Sequence, residues 1–136
     1  MRRAAAILLG LVMGANGLVM LAVGAWWYGV VPGVTETGPF NPHFVKDIGA
    51  DYLVTGAAFG WLAARPSALA HGAAGAGAAF LLIHGAVHLI EAVGDAHVLA
   101  DLARDFPGVL APALIAAWVV QATWPRPEPD HAQSPA

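Results

Sequence analysis

The sequence predicts an all-α, four-helix transmembrane bundle, N-in and C-in, with a short amphipathic surface helix in its last outer loop. Three observations predict it. Hydrophobic residues make up 58% of the 136 and charged residues only 11%. A soluble domain carries roughly a quarter charged residues, so this chain has too few to coat itself in water. Four apolar stretches approach or reach the length that a bilayer core of ~30 Å demands, about 20 residues at 1.5 Å rise each. Finally, Arg2, Arg3, Arg65 and Arg126 fall on one side of those stretches, and only Lys46 and Arg104 on the other. The positive-inside rule then puts the first group in the cytoplasm.

The first span runs over about 4–27, with Asn16 as its only strongly polar member. A signal peptide is the competing reading, since Arg2 and Arg3 suit its start. The apolar run exceeds a 7–15-residue signal core, though, and ends in Trp26, Trp27 and Tyr28, which suit an interfacial belt better than a cleavage site. The second span covers about 48–64, the third about 68–93 and the fourth about 109–124. Trp61 and Trp124 then lie near the inner face. Together these make one membrane domain over 1–124, followed by a Pro-rich, polar segment over 125–136 that reads as a disordered cytoplasmic tail.

The connections differ in character. Gly29 to Lys46 is long and punctuated by Pro32, Gly33, Gly38, Pro39 and Pro42, a turn-rich outer loop. Arg65-Pro66-Ser67 is a tight hairpin in which Ser67 can cap the third helix. Gly94 to Pro107 holds Val98, Leu99, Leu102 and Phe106 at the spacing of the surface helix, and Asp101, Arg104 and Asp105 read as its solvated face.

Composition narrows the function. A net charge of −3 and no basic patch argue against nucleic acid as a partner. Cys is absent, which excludes disulfides, thiol catalysis and thiolate metal sites. The partners that remain are the lipid bilayer and, within it, a membrane protein or a second copy. Gly10-xxx-Gly14 and Gly56-xxx-Gly60 have the small-residue spacing that lets helices approach; packing within the chain explains them before a dimer does. The amide of Asn16 is expected to bond to a neighbouring helix.

One constellation can carry chemistry. His84, His88, Glu91 and Asp95 follow one another at spacings of 4, 3 and 4, a stripe up the outer half of the third helix. Ionisable groups inside a span are costly and usually face the bundle interior or a wet cavity. Asp47 and Asp51 share a face of the second helix, and Asp51 is expected at the depth of His88. His43 and His97 can approach from the loops. The metal reading takes His84, His88, Glu91 and Asp51 as ligands, with His43, Asp47, Asp95 and His97 in support. Two imidazoles and carboxylates suit zinc or iron, and copper also fits. Haem is disfavoured because no other span contains a His. A quinone headgroup, needing one or two hydrogen-bonding side chains, is compatible. Proton handling is a further reading, although the stripe covers only the outer half of the membrane. The alternative is a polar cluster that only holds helices together. Whether the pocket catalyses a reaction is left open by the residues.

The string Thr37-Gly-Pro-Phe-Asn-Pro-His-Phe-Val-Lys-Asp-Ile-Gly49, leading into Ala-Asp-Tyr-Leu-Val-Thr-Gly56, together with the four-span plan, resembles small bacterial four-helix membrane proteins of the DoxX-like kind and neighbouring families of unknown function. The resemblance implies a bacterial inner-membrane protein, an accessory role in a larger complex and a link to quinone-coupled oxidation. It assigns no catalytic residue.

Overall fold

In hydrocarbon every backbone amide must find its partner within the protein, and a helix supplies that partner within its own segment. The computed structural model, which describes residues 1–94 and 96–123, is accordingly all-helical, with no strand among the described residues. Helix α1 covers Arg2–Val30, α2 Pro42–Ala64, α3 Ala68–Val93, α4 Val98–Asp105 and α5 Ala111–Thr123. A single 3-10 turn, Val34–Thr37, lies between α1 and α2. Three helical runs are long and apolar enough to cross a membrane: Arg2–Val30, Ala68–Val93 and Val98–Gln121. The proposed tail, Trp124 and Asp95 lie outside the described residues.

Two boundaries differ from the sequence expectation. Helix α2 begins at Pro42 rather than near Ile48. Asn41 is its cap, its Oδ1 accepting from the amides of His43 (3.0 Å) and Phe44 (3.2 Å). Pro42 occupies the first turn, where a missing N–H costs nothing. His43, Lys46 and Asp47 therefore ride on the helix and not in a loop. At the other end of the chain α4 is not a separate surface helix. It runs into α5 through one wide, π-type turn over Phe106–Leu110 that contains Pro107. Such a turn accommodates a proline whose ring and missing donor would break a regular helix. The Ser67 cap appears as expected, its Oγ accepting from the Ala70 amide at 3.1 Å.

Helix α1 packs along α2, α2 on α3, α3 on α5, and α5 back against α1. Much of what they bury is small: Ala6, Ala70, Ala74, Ala78, Ala113 and Ala116 are in the core beside a few large residues, Phe59, Met20 and Leu81, while Leu11, Val54, Ile83 and Ile90 are each about 70% exposed. A protein in water would hide more of its large aliphatic residues. This pattern follows when the surroundings are as apolar as the side chains, so that close backbone approach decides what goes inside.

The α1–α2 seam shows that approach. A Cβ on Gly17 would stand 2.5 Å from the Gly49 carbonyl oxygen, and one on Gly56 would stand 2.7 Å from Gly14 Cα. The two small-residue motifs thus meet each other within the chain. Asn16 departs from expectation. Its partner is on its own helix: Trp27 Nε1 donates to Asn16 Oδ1 at 2.9 Å. Eleven residues are three turns, so the two side chains share a face about 16 Å apart along a straight axis. Helix α1 is broken between them at Val23 (φ −137°, ψ 44°), and the indole spans the remaining gap.

Gly56→Ala is expected to lower unfolding stability in detergent by about 1–3 kcal/mol, the range for overpacking a tight contact. Gly60→Ala, whose Cβ would meet nothing within 4 Å, is expected to be neutral. Thermal denaturation of the two variants side by side checks the seam.

Candidate functional site

The polar residues collect at the end of the helices opposite the N-terminus. His84 and His88 lie one turn apart on α3, with ring centroids 4.9 Å apart and nearly edge-on. Both are half-buried. His84 stacks on Phe80 (5.9 Å, 18°) and meets the edge of Tyr52 from α2 (5.9 Å, 85°). His88 turns the other way. Its Nδ1 lies 2.8 Å from Asp105 Oδ2, at the last residue of α4. An ionised carboxylate only accepts, so the imidazole donates from Nδ1; Nε2 is an acceptor in the neutral ring and a second donor in the protonated one.

Asp105 is held from the other side. Arg104 Nε donates to Asp105 Oδ1 at 2.8 Å. The same guanidinium bonds to Asp101 Oδ1 at 2.9 Å and to Glu36 Oε2 at 2.9 Å, on the 3-10 turn of the first loop. Gly33 makes room for it. Gly33 has φ +82°, and a Cβ there would stand 2.6 Å from Arg104 Nε. The Tyr28 hydroxyl donates to the Gly38 carbonyl and Tyr28 packs on Phe40 at 5.3 Å, which pins the rest of that loop to α1. A continuous line of contacts therefore joins Tyr52, His84, His88, Asp105, Arg104 and Glu36. It runs from a buried tyrosine to a carboxylate that is 72% exposed.

The arrangement corrects the expected solvated face of α4. Asp105 is buried, and Asp101 and Arg104 are half-buried. The side of α4 that faces out instead carries Leu99, 80% exposed, and Phe106, 53% exposed. The helix is amphipathic with its charges inward, which is sensible only where the outside is apolar. The spacing 101, 104, 105 on one side and 99, 103, 106 on the other was visible in the sequence. It did not say which side would turn inward.

The remaining expected site residues are dispersed. Asp51 is exposed and lines a shallow groove of about 180 Å³ with Thr55, Gly77 and Phe80. The carboxylate that reaches His88 is Asp105. His43 and Asp47 pair with each other on α2 at 3.3 Å, both largely exposed; exposed pairs of this kind contribute little. Glu91 is exposed near the end of α3 and His97 is exposed at the start of α4. Asp95 lies outside the described residues. Among the described residues no three His, Asp or Glu side chains converge to hold a metal ion. His84 and His88 are the two that come together, with Asp105 placed to orient one of them as carboxylates orient metal-bound imidazoles elsewhere.

No family model matches the chain, and neither a curated protein nor a solved structure matches it.

Asp105→Ala removes a buried acceptor from both His88 and Arg104, and is expected to lower stability by about 1–3 kcal/mol. Asp51→Ala, at an exposed position, is expected to stay within about 0.5 kcal/mol of the parent. Chemical denaturation in detergent separates the two carboxylates.

Proposed function

We propose that this is a four-span integral protein of a bacterial cytoplasmic membrane, N-in and C-in, whose outer end binds and releases protons through His84, His88 and Asp105. The orientation is supported by Arg2, Arg3 and Arg65 at one end. At the other end Arg104 is tied to three carboxylates and Lys46 sits on the first turns of α2. Helix α2, at 23 residues, is long enough for a fourth span at 1.5 Å per residue. Its charged first turns keep it less apolar than the other three.

The observation that carries the proton reading is the His88–Asp105 contact at 2.8 Å; Arg104, always charged and donor-only, holds Asp105 and exposed Glu36 in place without passing a proton itself. Glu36, Asp101 and Asp105 surround one guanidinium, so the cluster carries an excess of negative charge that each protonated imidazole would reduce. Histidine is the side chain whose charge changes near neutral pH, and ionisable groups lined up inside a span favour proton movement over packing alone. The line ends at His84 beside Tyr52. It serves a site in the outer half of the membrane and does not form a channel through it.

A quinone is the ligand class that such a site suits. The rings of His84, Phe80 and Tyr52 pack against one another, with centroids 5.5–5.9 Å apart, which gives an aromatic wall beside an imidazole that can hydrogen-bond a carbonyl. The DoxX-like resemblance points the same way, and a role as accessory subunit of a larger quinone-linked complex fits a chain of this size. A metal ion held by two imidazoles is the other reading. It needs further donors from Glu91, Asp95 or the ligand itself, because resident zinc sites usually take three or four protein ligands.

Nuclear magnetic resonance of histidine-labelled protein in detergent tests the proposal. Exchange of the His88 Nδ1 proton with water is expected to speed up in Asp105→Asn, which removes the carboxylate that holds that proton, and to be unchanged in Asp47→Asn. Equal exchange in all three proteins would reduce the cluster to helix packing. Near-stoichiometric zinc, iron or copper, lost in His84→Ala/His88→Ala, would move the site to the metal reading.

A further inference from the structure

The opposite end of the molecule holds a second concave feature. A cavity of about 430 Å³ opens among the start of α1, the α2–α3 hairpin and α5. Ala6, Leu62, Ala63 and Val119, all nearly fully buried, form its floor with buried His71, and Pro66, Ser67 and Ala68 are exposed at its edge. Its mouth is cationic, with Arg2 and Arg3 on the first turn of α1. No carboxylate is among the described residues that line it.

Arg3 is positioned and not merely nearby. Its Nε donates to the Ala63 carbonyl at 3.1 Å, on the last turn of α2. A guanidinium has five N–H donors in a rigid fork, so one bond to a carbonyl fixes the side chain and leaves most of the fork for a planar or tetrahedral anion. The cavity therefore combines an apolar slot, a cationic rim and the level at which a membrane changes from hydrocarbon to headgroup. A soluble anion would use the rim and waste the slot. A neutral lipid would use the slot and gain nothing from the remaining donors of Arg3.

We propose that this cavity binds one anionic phospholipid, its phosphate held at the rim by Arg2 and Arg3 and its acyl chain entering over Pro66 and Ala68. Basic pockets between spans at the cytoplasmic surface are suited to anionic headgroups. The inference rests on the membrane-spanning reading and is independent of the histidine line at the far end, so either can fail without the other.

Native mass spectrometry of the full chain in neutral detergent decides it. With phosphatidylglycerol and phosphatidylcholine offered together, one phosphatidylglycerol per chain is expected to be retained and phosphatidylcholine to be lost. Arg2→Gln/Arg3→Gln is expected to weaken retention about tenfold or more. Ala68→Phe, at an exposed position lining the cavity, is expected to weaken it by filling the slot while the arginines remain. Circular dichroism confirms that each variant keeps its helices. Equal retention of the two lipids by the parent protein overturns the proposal without any variant. So does unchanged phosphatidylglycerol retention in the arginine variant. Displacement of phosphatidylglycerol by inorganic phosphate, with Ala68→Phe without effect, would make the site one for a free anion and overturn the lipid assignment.

Discussion

Helices in hydrocarbon gain little by hiding leucine from one another, because lipid tails are as apolar as leucine is. Association must come from surfaces that fit closely and from polar groups with nowhere else to go. Both appear here, at different places. Gly17 lies against Gly49, and Gly56 against Gly14, so that α1 and α2 touch backbone to backbone. Alanine fills most of the remaining contacts, and the large aliphatic residues Leu11, Ile83 and Ile90 point away from them.

The same constraint explains the polar end. A guanidinium on a helix whose outer face is Leu99 and Phe106 cannot turn outward without entering an apolar medium. Arg104 turns inward and collects Glu36, Asp101 and Asp105. That one cation joins three parts of the chain: the first loop, α4 and, through Asp105, the imidazole of His88 on α3. Gly33 contributes by having no side chain and a backbone angle that side chains resist. Loop, helix and histidine are held by charge matching where apolar packing has little to offer.

The two ends are built for different chemistry. At the N-terminal end, positive groups rim an apolar cavity and no described acid lines it. At the far end, negative charge is in surplus around one arginine, and two histidines lie where protons would reduce that surplus. The first arrangement suits an anion that brings its own hydrocarbon. The second suits a proton and a small polar ligand.

Much of this was legible in the residues themselves. Low charge content, apolar length and the Arg65-Pro66-Ser67 hairpin determined an all-helical membrane chain, because those properties depend only on local composition and on the backbone's need for internal partners. The i,i+4 spacing of His84 and His88 determined that the two rings would meet, since a helix puts such residues on one face. What only the tertiary structure decided was which carboxylate would meet them. The sequence favoured Asp51, which lies in a span at the expected depth of His88, over Asp105, which reads as part of a solvated face beside Arg104. Helix α4 packs against the end of α3, and that brings Asp105 to His88 while Asp51 stays exposed. Helical periodicity tells which residues of a segment share a face. The face that turns inward depends on where the neighbouring helix lies, and no local pattern carries that.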